Sequence, residues 1–141
     1  SRYQDAEQKN DIEYVFSSII SSYKKMDYVV CWFYKASLYC NSNSISFAFV
    51  STNSITQGEQ VGIVFNLLLI NDLEILFAYQ SFKWRNNAKQ NAAVDVVIIG
   101  FTKDKLKQKK LIINSQLYVV SHINPYLFPS KINIIEKRTK F

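Results

Sequence analysis

Apolar and polar positions fall along this chain in blocks of changing period, and the changes mark its elements. From Ser1 to about Ser22 the acidic residues come early (Asp5, Glu7, Asp11, Glu13). Ile12, Val15, Phe16, Ile19 and Ile20 follow at spacings of three and four. That spacing predicts an amphipathic helix with its carboxylates near the positive N-terminal end. Asp27 is placed to cap a second helix through Tyr39, apolar nearly all round and therefore expected to be buried, and the Asn41–Ser44 cluster ends it. ISFAFVS (Ile45–Ser51), LEILFAYQSF (Leu73–Phe82) and AVDVVIIGF (Ala93–Phe101) are short apolar runs rich in aromatic and β-branched residues. They read as strands buried on both faces. Between the first two, the polar loop Thr52–Gln60 enters a helix over Val61–Asn71, with Ser54 or Thr56 and Glu59 available to cap it. RNNAKQN (Arg85–Asn91) is a basic loop, and KDKLKQKK (Lys103–Lys110) reads as a solvated hairpin turn. LIINSQLYVVS adds a further strand, and a proline-containing basic tail follows.

Strand, helix, strand with continuous apolar strands predicts a βαβ unit and an α/β layer fold. Ligands of such sheets bind at the carboxyl ends of the strands, so Thr52–Gln60 and Phe82–Asn91 are expected at one rim. The chain is 141 residues long, with 48% hydrophobic and 15% aromatic residues, which fits one domain with a real core and excludes a disordered chain. No apolar run reaches the ~20 residues that span a bilayer, so no membrane association is expected. Cys31 and Cys40 have no histidine close by, and a reduced cytoplasmic pair is a better reading than a disulfide or a metal site.

Charge sharpens this picture. Residues 1–80 hold 5 Lys and Arg against 8 Asp and Glu, whereas residues 81–141 hold 12 against 3, so the net of +6 resides in the second half. A basic half that also carries aromatics is the footprint of a surface meeting phosphates. The same lysines could also simply solubilise a strand-rich edge.

Three blocks, FVSTNSITQGEQV, FAYQSFKWRNNAKQNAAVDVVIIGF and INPYLFPSKINIIEKRTK, resemble consecutive segments of the MmeI-like (type IIL) restriction–modification enzymes. YQDAEQKNDIEYVF and MDYVVCWFYKAS are similar to the segment after that family's Asn-Pro-Pro-aromatic motif, so the resemblance runs from about Tyr3 to Lys140. It implies an α/β fold: the second half of a Rossmann-like S-adenosylmethionine-dependent methyltransferase sheet with helices, plus a basic C-terminal extension. Residues 1–141 would form a single partial domain, with 111–141 a transition toward target recognition. The parent enzyme would methylate adenine in DNA on its exocyclic amino group, and could also cleave DNA.

The departures matter as much. The only glycines are Gly58, Gly62 and Gly100, with no G-x-G pattern, and Asn124-Pro125-Tyr126 lacks the second proline of the catalytic motif. The chain begins at Ser1, not at methionine, just downstream of where that motif would sit, as an excised or processed piece would. No catalytic residue is therefore expected in this chain, which alone should neither bind S-adenosylmethionine well nor methylate. In similar adenine methyltransferases an aromatic after the sixth strand packs against the flipped base. Phe82 and Trp84 match that region, with Phe82 preferred for its place at the strand's end. In isolation, the FKW tripeptide would more often be core plus a surface lysine. Lys83, Arg85 and Lys89 are candidates for DNA backbone contact, equally readable as solvated charges.

Ser51, Thr52 and Asn53 would rim the base pocket, although capping or turn formation is the blander role for each. His122 has no recognisable catalytic partner. The partners implied are DNA through the parent and the missing N-terminal half of the methyltransferase domain. A half sheet would leave an unpaired edge and an apolar face, to be covered by self-association or a rearranged N-terminal helix. The competing readings are a stand-alone basic nucleic-acid-binding module and the inactive remnant of a truncated gene.

Overall fold

The computed structural model describes residues 4–42, 45–84, 94–131 and 134. Helices α1 (Ala6–Phe16), α2 (Val30–Ser42) and α3 (Gln60–Ile70) pack on a sheet of β1 (Phe47–Thr52), β2 (Glu74–Trp84), β3 (Val94–Thr102), β4 (Lys109–Ile113) and β5 (Gln116–Val120). The sheet order is β1-β3-β2-β4-β5. β3 runs antiparallel to both β1 and β2, so the βαβ unit read from the sequence is present but split, with β3 inserted between its two parallel strands. The α/β class and the shared carboxyl-end rim of β1 and β2 both hold.

All three helices lie on one face. Along β3, Val97, Ile99 and Phe101 point into the core with Ile12, Phe16, Phe33, Val64, Phe65 and Leu68. Phe101 is its hub, with ring centroids 5.2 Å from Phe47, 6.0 Å from Phe33 and 6.2 Å from Phe65. Leu111, Ile123 and Leu127 join the same core, so the chain beyond β3 belongs to the same packed unit. Strands buried on both faces were expected, and β3 is so along most of its length, whereas β1 and β2 leave the opposite face as a separate, shallower surface. There the Phe77 ring lies over Gly100, where a Cβ would collide with it. Cross-strand pairing extends that face through Lys110 and Ile112 to Leu117 and Val119, the latter 60% exposed. β1 is an edge strand of alternating burial, with Val50 on this open face. None of the described helices is long and apolar enough to cross a membrane.

Several local expectations change. α1 is shorter than Ser1–Ser22, because Asp5 caps it in a reciprocal box with Gln8 and the chain turns after Phe16. Asp27 does not cap α2 with its side chain; its backbone carbonyl receives Val30 N–H, and its carboxylate reaches across to Ser54 and Gln60. α2 is not buried all round, for Trp32, Leu38 and Tyr39 face solvent. α3 has no side-chain cap: Thr56 Oγ1 donates to the Asn53 carbonyl, and Glu59 pairs with Lys25 at 2.7 Å. Lys103–Lys110 is no hairpin turn, because β3 and β4 are separated by β2 and the segment must cross over it. Its Lys109 is already in β4 and buried against Glu74. The hairpin lies later, at Asn114–Ser115, where both residues take positive φ and join β4 to β5.

Candidate nucleic-acid interface

Strand register fixes the rim. Thr52 on β1 and Phe82 on β2 both pair with Val96 of β3, so they occupy one row across three strands at the carboxyl ends of β1 and β2. β2 carries a bulge between Tyr79 and Phe82. An extra residue in one strand lets both aromatics fall on the same face. The result is a row on the open face: Tyr79 and Phe82 ring centroids are 4.6 Å apart, and Phe82 and Trp84 are 6.4 Å apart. Phe82 is not the strand's end; β2 continues through Trp84, which is 48% exposed and terminates the row.

The other rim residues divide differently. Ser51 is buried, with its hydroxyl donating to the Thr52 carbonyl at 3.2 Å, whereas Thr52 is exposed. Asn53 Nδ2 donates to Ser81 Oγ at 3.1 Å, bridging the β1 loop to β2. Asn53 and Ser81 line a cleft of about 270 Å³ with Gln57, Gln80, Tyr126 and Phe128. The cleft also touches Val97, which faces the core side of the sheet, so it opens on the face opposite Phe82 and Trp84. The predicted residues thus share a rim without sharing a pocket. Sequence reasoning missed Gln57, Gln80, Ser81, Tyr126 and Phe128. One signal was present, since the adjacent polar pair Gln80-Ser81 breaks the alternation of an otherwise apolar run.

The β1 loop is held from behind. Asp27 Oδ2 accepts from Ser54 Oγ at 2.9 Å and from Gln60 Nε2 at 3.0 Å, while Gln60 Nε2 also reaches the Ser54 carbonyl at 2.7 Å. Thr52 Oγ1 and Ser54 Oγ are 2.8 Å apart, so the network extends to the rim. Asp27→Ala should destabilise the chain by about 1–3 kcal/mol, because the buried Gln60 amide loses an acceptor. Urea denaturation measures this, and an unchanged midpoint would mean that water replaces the carboxylate.

The basic half is partly neutralised. Lys83 pairs with Asp95 at 2.8 Å; both are exposed, and such a pair is worth only about 0–1 kcal/mol, so a phosphate can displace the carboxylate. Lys105 bridges Asp72 and Glu74, and Lys109 is buried on Glu74. Arg85 and Lys89 lie outside the described residues. Asn124 cannot serve a substrate in this arrangement. Its Oδ1 accepts from Tyr126 N–H and Phe128 N–H, each at 3.0 Å, and its Nδ2 donates to Ser130 Oγ at 2.8 Å. His122 is exposed and contacts the hydroxyl of its neighbour Ser121.

Comparison with known proteins agrees with this architecture. The family described as "MmeI, DNA-methyltransferase domain" matches residues 1–114. "DNA methyltransferase A" of Bacillus subtilis (strain 168) is 44% identical over 141 residues, covering 99% of this chain and 16% of that protein. Among solved structures, the type IIL restriction-modification enzyme MmeI in complex with DNA superposes with a TM-score of 0.90 at 40% identity, covering 97% of this chain and 19% of that one. The chain therefore spans about a sixth of the length of the curated relative it matches.

Proposed function

Because the chain belongs to the MmeI DNA-methyltransferase domain family, we propose that it forms the target-base side of an adenine-N6 DNA methyltransferase site, within a longer restriction–modification polypeptide. The observation that carries this reading is the Tyr79–Phe82–Trp84 row, which ends half-exposed at the carboxyl-end rim. An enzyme acting on a base must take it out of the duplex and hold it against flat groups, and Trp84 with Phe82 offers such a surface. Thr52, in the same sheet row as Phe82, supplies a polar contact, Asn53 rims the site from the opposite face, and Ser51 supports the loop from within. Lys83, Arg85 and Lys89 meet the DNA backbone.

The described residues do not fit S-adenosylmethionine by themselves. Gly62 lies inside α3 against Ile134, and Gly100 lies under the Phe77 ring. Only Gly58, at φ +67°, stands in a carboxyl-end loop, and one glycine does not let a backbone line a nucleotide. In this reading the cofactor loop and the Asn-Pro-Pro-aromatic motif come from another part of the parent, a cytoplasmic enzyme that could also cleave DNA. The open sheet face and the free edge of β1 are where that part, or a second copy of the chain, would pack.

A duplex carrying an extrahelical 2-aminopurine tests the stacking role. At low salt, Trp84→Ala or Phe82→Ala should weaken binding by about 5- to 150-fold, the range for one stacked base. If both variants bind as tightly as the unaltered chain, the aromatic row is not the base-holding surface.

A further inference from the structure

The cleft on the other side of the rim is bordered by a densely hydrogen-bonded turn. Asn124 organises it with every polar group it has. Its side chain makes the three hydrogen bonds described above, its backbone N–H donates to the Phe128 carbonyl at 3.0 Å, and its own carbonyl accepts from Leu127 N–H at 2.9 Å. Asn124 is itself only 8% exposed. Leu127 stands at φ +60°, a left-handed conformation that a branched side chain rarely adopts. It is held there because its side chain is buried in the core and its carbonyl accepts from Gln80 Nε2 at 2.6 Å. Strain of this kind persists only where the surroundings over-determine it, and it clusters at ligand-contacting sites.

What the turn presents is Phe128, 57% exposed, at the mouth of the cleft, with Tyr126 half-buried beside it. An aromatic side chain on a fixed backbone loses little freedom when a flat ring stacks on it. The same cleft is lined by hydrogen-bonding groups suited to a base edge: the Gln57 amide, exposed on the loop, and the Asn53–Ser81 bridge. The volume of about 270 Å³ is near the lower end for small-ligand sites, about 300 Å³, which suits a single flat ring.

We infer that the Asn124–Phe128 turn is a second base-stacking platform, binding one unpaired nucleobase between Phe128 and the Asn53–Ser81 rim, on the face opposite Trp84. Asn124 and Gln80 are positioning residues that fix the platform. The inference rests on the reading of this rim as the DNA-facing side. It differs from that reading in placing a second contact on the opposite face of the sheet.

The test uses that duplex with a second extrahelical 2-aminopurine added, followed by anisotropy for affinity and by quenching of the 2-aminopurine for stacking. Phe128→Ala should lower affinity at least about fivefold, with a melting temperature close to that of the unaltered chain, and Phe128→Trp should restore binding. Asn124→Ala, which frees the turn without removing the ring, should lose part of the affinity and of the quenching. If Trp84→Ala weakens binding and Phe128→Ala does not, the second platform is refuted while the proposed function stands. If Phe128→Ala weakens binding and Trp84→Ala does not, the platform is supported and the base-holding role of the Tyr79–Phe82–Trp84 row falls. No detectable binding of the unaltered chain at low salt overturns both.

Discussion

Replacing Phe101 with alanine should destabilise the chain by about 3–5 kcal/mol, the range for emptying a fully buried aromatic site. The ring is 0% exposed and sits on an interior strand, in contact with aromatics from α2, β1 and α3. Its loss would open a cavity that three separate elements would have to close together. β3 cannot shift toward them, because it is hydrogen-bonded along both edges. The check is a urea melt in which the midpoint falls while the slope stays constant. A loss under about 1 kcal/mol would show that Phe33, Phe47 and Phe65 collapse into the space, so that the hub is replaceable. Removing Trp84 from the open face should be nearly silent in the same experiment, since exposed positions usually change stability by only about ±0.5 kcal/mol.

Glu74→Ala should be comparably severe, also about 3–5 kcal/mol, for a different reason. Lys109 Nζ is 2.6 Å from Glu74 Oε2, and the lysine side chain is only 7% exposed. Without the carboxylate, a buried ammonium is left unpaired, and its desolvation is no longer compensated. Replacing both partners with apolar residues of similar size, Glu74→Leu with Lys109→Met, should recover most of the loss. Burial acts to raise the Glu74 carboxyl pKa, but the hydrogen bonds and charges of Lys109 and Lys105 outweigh it and hold the group below its ordinary value. With the folded value depressed, the stabilisation is complete above the unfolded carboxyl's pKa and disappears as pH falls through the folded value. Acid melts of the unaltered chain should therefore show a steeper decline than those of Glu74→Gln, in which the depressed Asp72 carboxyl remains. Parallel profiles for the two proteins would show that the pair contributes nothing to folding.

Much of the fold was legible because long apolar runs fix strands and helices locally. Val61–Asn71 and Ala93–Phe101 each fall within one residue of α3 and β3. The insertion of β3 between β1 and β2 was not legible, because a run buried in a sheet looks the same whichever strand it pairs with. Lys109 read as one more solvated charge, since nothing near it in sequence announces Glu74 as its partner. Asn124 looked like an incomplete motif, and Phe128 like part of a basic tail. The role of each depends on Gln80 and Leu127, which meet only after β2 and the segment beyond β5 have packed. Family resemblance identified the domain, but which face of the rim each residue occupies required the register and the bulge.

The position of β3 has a further consequence, for the order in which the chain can assemble. The β4–β5 hairpin closes through a tight local turn and can form early. β3 can close early on one edge, because Trp84 and Lys83 of the preceding strand pair with its Val94 and Asp95, but its other edge waits for β1, where Phe101 pairs with the distant Phe47. Loop-closure entropy must be overcome before such contacts reward it, which makes non-local pairing intrinsically slow. Until β1 docks, β3 is an apolar strand with one open hydrogen-bonding edge. The same strand that carries the hub of the finished core thus offers that one edge to another chain during synthesis.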